Sequence, residues 1–65
     1  MTGYIAPVLE FVTFDKDGTE VDWIDPYVTH DFADDGRVLV SSTYCDYLVA
    51  VPKGGRYEVR PLKES

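Results

Sequence analysis

Glycine-bearing turn signals recur so closely along this chain that only short elements fit between them. Asp15-Lys16-Asp17-Gly18, Asp35-Gly36 and Pro52-Lys53-Gly54-Gly55 each put glycine where a tight turn calls for a left-handed backbone. The stretches between them are rich in valine, tyrosine and phenylalanine, residues that suit a pleated, half-buried surface. Short strands joined by tight turns are the expectation.

The first hairpin runs from Tyr4 to Asp25 around Asp15–Gly18, with Gly18 in the left-handed position of a type I turn with a G1 bulge. Pairing Asp15 with Thr19 sets Thr13 opposite Val21, Phe11 opposite Trp23 and Leu9 near Asp25, which makes one face apolar. The other face then pairs Phe14 with Glu20, Val12 with Asp22 and Glu10 with Ile24, so carboxylates project from it and it reads as the outer surface.

Residues 25–35 support two readings. Asp25 as N-cap, Pro26 at the first helical position and Gly36 just past the end frame a short helix with Val28 and Phe32 on one side. The interior, Tyr27 to Phe32, has poor helix propensity, and aspartates at its C-terminal end oppose the helix dipole. In the strand alternative, Asp35-Gly36 closes a two-residue hairpin into Arg37 to Ser41. Arg37 to Ser42 and Tyr47 to Val51 read as buried strands, and the Pro52–Gly55 turn leads into a last strand, Arg56 to Leu62, paired with the one before it. Pro61 places that strand at an edge. A helical stripe of Tyr44, Tyr47, Leu48 and Val51 is weakened by its valines. The expected fold is therefore α+β: an antiparallel sheet of four or five strands with one short helix, in a single domain over residues 1–65. An all-β meander or small barrel is the alternative.

A chain of 65 residues can bury only about 60% of the surface it exposes when unfolded. Its expected stability is about 3 to 10 kcal/mol. Five tyrosines, three phenylalanines and Trp23 supply the apolar area needed to close a core without disulfides. Cys45 is the single cysteine, so an internal disulfide and cysteine-cluster metal sites are excluded. No apolar run approaches the roughly 20 residues of a membrane-spanning helix, and Met1 to Tyr4 carry no basic segment of the export type. A cytoplasmic monomer, without membrane association, is the expectation.

The candidates for chemistry are weak. His30 beside Asp31 could seat a general base, but sequence neighbours point to different sides of a strand or helix. Cys45 has Tyr44, Asp46 and Tyr47 around it, with no cation to favour a thiolate. Asp15, Asp17, Glu20 and Asp22 look toward a calcium loop, yet Gly18 comes two places early for an EF-hand. Lys53-Gly54-Gly55 lacks the rest of a phosphate loop. No catalytic residue, cofactor or metal is expected, and the chain reads as a binding protein.

Charge is the informative signal. Residues 1–35 hold nine acids against Lys16, a balance of −8, whereas residues 36–65 hold three acids against five bases, a balance of +2. Such an acidic half either keeps a small protein soluble or steers it toward a basic partner. The candidate partner-binding residues are Glu10, Asp17, Glu20, Asp22, Asp31, Asp34 and Asp35; Asp25 is left out as a helix cap. Carboxylates on neighbouring strands lie about 5 to 7 Å apart, a density of the order of the duplex DNA backbone, with one charge per about 1.7 Å. The expected partner is a basic nucleic-acid-binding protein or complex, and direct binding to nucleic acid is excluded by repulsion.

In its length, single cysteine, lack of catalytic groups and acidic first half, the whole chain resembles small phage-encoded anti-CRISPR proteins. The resemblance is one of character and transfers no residue. It implies a stoichiometric inhibitor in the host cytoplasm that blocks the DNA-binding surface of a CRISPR effector by charge mimicry of DNA. A phage or bacterial structural, assembly or antitoxin-like protein without mimicry is the other reading.

Overall fold

The computed structural model describes residues 8–62, and over them the chain is all-β. Six strands run β1 Leu9–Phe14, β2 Glu20–Ile24, β3 Tyr27–Phe32, β4 Val38–Ser42, β5 Asp46–Val49 and β6 Arg56–Pro61. They form two antiparallel three-stranded sheets, of order β2-β1-β6 and β3-β4-β5. We refer to these as sheet A and sheet B. Residues 4–7 of the expected first strand lie outside the described residues.

The expected helix is not there. Residues 27–32 form a strand because Val28, Thr29 and the aromatic Tyr27 and Phe32 favour extended backbone, and their partners on β4 repay that choice with a ladder: His30 faces Val40 and Phe32 faces Val38. Aspartates that would oppose a helix dipole here sit in a turn instead. The two hairpin turns are built alike. Asp15 N–H donates to the Thr19 carbonyl at 2.9 Å and Gly18 N–H to the Asp15 carbonyl at 3.0 Å. In the second turn, Ala33 N–H donates to Arg37 at 2.8 Å and Gly36 N–H to Ala33 at 3.1 Å. Gly18 (φ 86°) and Gly36 (φ 90°) take the left-handed position in each. The second loop is thus Asp34-Asp35-Gly36, one residue longer than the two-residue version read from sequence.

The turn at Asp15–Thr19 and the Phe14–Glu20 pair agree with the sequence reading; the rest of that ladder is displaced by one residue. A bulge at Val21 leaves Thr13 opposite Asp22, Val12 opposite Trp23 and Phe11 opposite Ile24. The displacement swaps faces: Ile24 (7% exposed) joins the core and Trp23 (55% exposed) turns outward. At the irregularity the Thr13 hydroxyl accepts the Asp22 N–H at 3.1 Å, so the disturbed ladder keeps a polar partner inside the protein.

The last hairpin is also corrected. β6 pairs with β1, from Leu9–Pro61 to Phe14–Arg56, while β5 pairs with β4. Pro52–Gly55 therefore carries the chain from sheet B to sheet A, with the Gly55 N–H donating to the Pro52 carbonyl at 2.8 Å. Gly55 lies so close to β1 that a Cβ there would overlap the Phe14 carbonyl. Pro61 is on an edge strand, as expected, with β1 as its neighbour. Neither β4 nor β5 is buried on both faces: β4 alternates Val38 and Val40 inside with Leu39 outside, and most of β5 is exposed.

The sheets meet through Phe11 and Ile24 of sheet A and Val38, Val40 and Val49 of sheet B, with Tyr27, Val51 and Tyr57 packed against them. Phe11 lies between Tyr57 (5.1 Å, 18° between planes) and Tyr27 (6.1 Å, 19°). Both nitrogens of His30 meet phenols: Nδ1 is 2.6 Å from the Tyr27 hydroxyl and Nε2 is 3.5 Å from that of Tyr57. His30 is thus a polar link between the sheets on the β3/β6 side, and β5 and β2 form the other side.

β1 is buried on both faces. Behind Phe11 and Thr13, the outward-facing Val12 (0% exposed) and Phe14 (5%) are covered by charge. Arg60 on β6 donates to Glu10 on β1 at 2.7 Å and to Glu20 on β2 at 3.1 Å. Glu20 also accepts from the Trp23 indole N–H. Arg56 lies 4.2 Å over the Phe14 ring and pairs with Glu58, a cation on an aromatic face.

Candidate functional site

Folding distributes the seven acids over separate places. Glu10 and Glu20 share Arg60 on the outside of sheet A. The indole N–H of Trp23 and then Arg60 hold the Glu20 carboxyl below its ordinary range, and Glu10 and Glu20 raise the Arg60 guanidinium in turn. Asp17 is in the first turn, its N–H bound to the Asp15 side chain at 2.8 Å. Asp34 and Asp35 are in the second turn, where Arg37 pairs with Asp35 and lowers its carboxyl. Asp31 is exposed on the outer face of sheet B, opposite Leu39. Asp22 stands at the open end of the inner face of β2, opposite Thr13. Glu10 and Glu20 are brought together, Asp34 and Asp35 are neighbours in a loop, and no single surface collects all seven.

Charge is balanced where the two halves of the sequence meet. β6, from the basic half, lies against β1 from the acidic half, so Arg60 neutralises carboxylates that the sequence leaves unpaired. Among the described residues Asp15, Asp17, Asp31, Asp34 and Asp46 are in no ion pair, and neither are Asp22 and Asp25.

These two carboxylates line a groove. Asp22, Trp23, Ile24 and Asp25 form one wall and Tyr47, Leu48 and Val49 the other, around about 360 Å³. The walls are the edge strands β2 and β5, each of which has a strand partner on one side only. Trp23, Tyr47 and Leu48 are 55%, 44% and 48% exposed, so large apolar surface stands beside carboxylates at a place where two strands end their sheets. Cys45, and to a lesser degree the Asp25 charge, hold the Tyr47 phenol above its ordinary range, so it remains a neutral hydrogen-bonding group. An acidic rim around aromatic side chains suits a positively charged side chain with an aliphatic stem, which takes both kinds of contact.

Sequence reasoning found Asp22 and missed the other groove residues. Asp25 reads from sequence as a helix cap; with no helix to cap, it lies in the link between β2 and β3 and lines the groove. The unshifted register puts Trp23 inside, because a bulge leaves no plain mark in the sequence. Tyr47 and Leu48 could have been found through the exposed edge they occupy, had β6 not been paired with β5. His30 and Cys45 lie outside the groove walls: His30 links the sheets, and Cys45 is exposed. Among the described residues no group of three or more His, Cys, Asp or Glu side chains is arranged to hold a metal ion, and no helix is long and apolar enough to cross a membrane. Comparison with protein-family models, with characterised proteins and with solved structures finds no match to this chain.

Proposed function

We propose that this protein is a binding module, without catalytic activity of its own, that engages a basic partner through the groove between β2 and β5. The observation that carries this reading is the coincidence of Asp22 and Asp25, outside every ion pair among the described residues, with exposed Trp23, Tyr47 and Leu48. Aromatic anchors beside charge are what an interface centre needs. The overall charge of −6 adds long-range attraction toward positive surfaces. A nucleic-acid-binding protein is the partner class with the matching field, and a CRISPR effector, whose nucleic-acid channel is positively charged, belongs to it. Occupying that surface would exclude nucleic acid, and the module would act as a stoichiometric inhibitor of the anti-CRISPR kind.

Competition tests this. A basic effector complex carrying labelled duplex releases it when the protein is added, and Asp22→Asn with Asp25→Asn raises the concentration required about fivefold, from rim charges of up to about 1 kcal/mol each. Asp17→Asn with Asp34→Asn, in the turns, leaves the concentration unchanged. If the turn variant is the weaker competitor, the acidic turns and not the groove make the contact. If no basic complex in a panel loses its DNA, the inhibitory reading is wrong.

A further inference from the structure

We infer that the segment received by the groove is an extended, lysine- or arginine-bearing stretch of the partner, which joins β5 as a fourth strand of sheet B. This rests on the groove as the binding site and adds the conformation of what fills it.

The four sheet edges differ in how they resist such pairing. β6 carries Pro61 and a row of alternating charges, Arg56, Glu58 and Arg60; β2 is bent by the bulge at Val21; β3 follows Pro26 and has an irregularity between Tyr27 and Thr29. Each is a recognised guard against strand addition. β5 has none of them. Asp46-Tyr47-Leu48-Val49 contains no proline, cation or bulge, and its register against β4 is unbroken.

Its free backbone groups can be placed. The Ser42 N–H donates to the Cys45 carbonyl at 3.0 Å, which makes Ser42 and Cys45 a hydrogen-bonded pair. Antiparallel ladders alternate such pairs, so Tyr47 and Val49 direct their backbone groups at β4, while Asp46 and Leu48 direct theirs away. Leu48 also lines the groove. An added strand would hydrogen-bond Leu48 on one side, and its alternate side chains would face Tyr47, Ile24 and the Asp22 and Asp25 carboxylates across from it. Main-chain bonds then give affinity and alternate side chains give selectivity. Charge favours a basic segment over a second copy of this chain, because two molecules of charge −6 repel each other.

The probe is a blocked eight-residue peptide of alternating valine and lysine, titrated at low salt. The fluorescence of Trp23, the sole tryptophan and part of the groove wall, reports binding. A saturable change is expected, weakened about fivefold or more by Asp22→Asn with Asp25→Asn. N-methylation of alternate peptide amides discriminates the backbone: methylating one edge of the peptide weakens binding about tenfold and methylating the other leaves it intact, the loss expected for hydrogen bonds at the upper end of their usual worth. On the protein, Leu48→Pro, which removes the outward N–H, binds about tenfold more weakly than Leu48→Ala, which keeps it. The peptide series holds even if Leu48→Pro fails to fold. Should both methylated peptides bind like the parent, the segment does not join β5, and the groove reading stands without it. Should the parent peptide leave Trp23 unchanged, or bind the double Asn variant as tightly as the native protein, the groove reading falls and the inference with it. A native protein that sediments as a dimer, and as a monomer with Leu48→Pro, would give the edge to a second copy and overturn the proposal.

Discussion

Gly18 and Gly55 are both turn glycines, and their replacement by alanine should cost very different amounts. Nothing lies within 4 Å of a Cβ at Gly18, so Gly18→Ala meets only the left-handed backbone penalty, about 1 to 2 kcal/mol. At Gly55 a Cβ would overlap the Phe14 carbonyl and approach Asp15. Because both are backbone, relief requires parting β6 from β1. Gly55→Ala should therefore leave the chain largely unfolded, given a total stability of about 3 to 10 kcal/mol; urea unfolding followed by circular dichroism compares the two. Arg60 poses a second contrast. It covers Val12 and Phe14 while pairing with a Glu10 side chain that is 8% exposed. Arg60→Met keeps the aliphatic cover and removes the charge. The cost should fall between the about 1 kcal/mol of an exposed pair and the about 3 to 5 kcal/mol of a buried one, and adding Glu10→Gln should recover part of it in a double-mutant cycle.

Among the elements, β2 shows best what sequence can and cannot reveal. The Asp15–Gly18 turn and the Phe14–Glu20 pair follow from turn chemistry alone, because both are settled by adjacent residues. The bulge at Val21 depends on Ile24 filling a core whose other wall is Val38, Val40 and Val49, and that wall lies in another sheet. A local pattern cannot weigh it. Residues 27–32 present the same difficulty: the capping signals at Asp25 and Pro26 are local, whereas the β4 ladder that overrides them is not. Deleting Val21 should accordingly be tolerated, at a cost of about 1 kcal/mol or less, because Thr13–Asp22, Val12–Trp23 and Phe11–Ile24 would then pair without interruption. Retention of the Trp23 emission spectrum and a modest change in urea midpoint would bear this out; deleting Val40, whose neighbours have no slack, should unfold the protein. The charged cover gives β1 and β2 a pH dependence. The Glu20 carboxyl is held below its usual 4.5, so its contribution is complete above that value and is lost as the pH falls through the lower folded value. Unfolding measured from pH 6 to pH 2.5 should show stability declining in this range, and Glu20→Gln should flatten the decline.

At the scale of the molecule, a division that looks sharp along the chain is softened where the basic β6 is laid beside the acidic β1. Composition by halves was legible; where the charges would end up was not, because it is settled by a pairing across some fifty residues. Of the carboxylates outside ion pairs among the described residues, Asp22 and Asp25 stand together at an open edge, and the partner should sense them over a short range. Association should slow as salt rises from 0.1 to 1 M and the Debye length shrinks from about 10 to about 3 Å, as stopped-flow Trp23 fluorescence would record; a rate indifferent to salt would assign recognition to the aromatic wall alone. The same pairing of β1 with β6 has a consequence in time. β1 leaves a ribosome before the other five strands described, yet its second neighbour and the arginine that covers it come with Arg56–Pro61, and the ladder closes only when the Leu62 N–H reaches the Val8 carbonyl at 2.7 Å. A nascent chain stopped at Gly55 should stay open to protease, and the protein should gain its structure late and all at once, with a chaperone's best opportunity falling in the interval before β6 emerges.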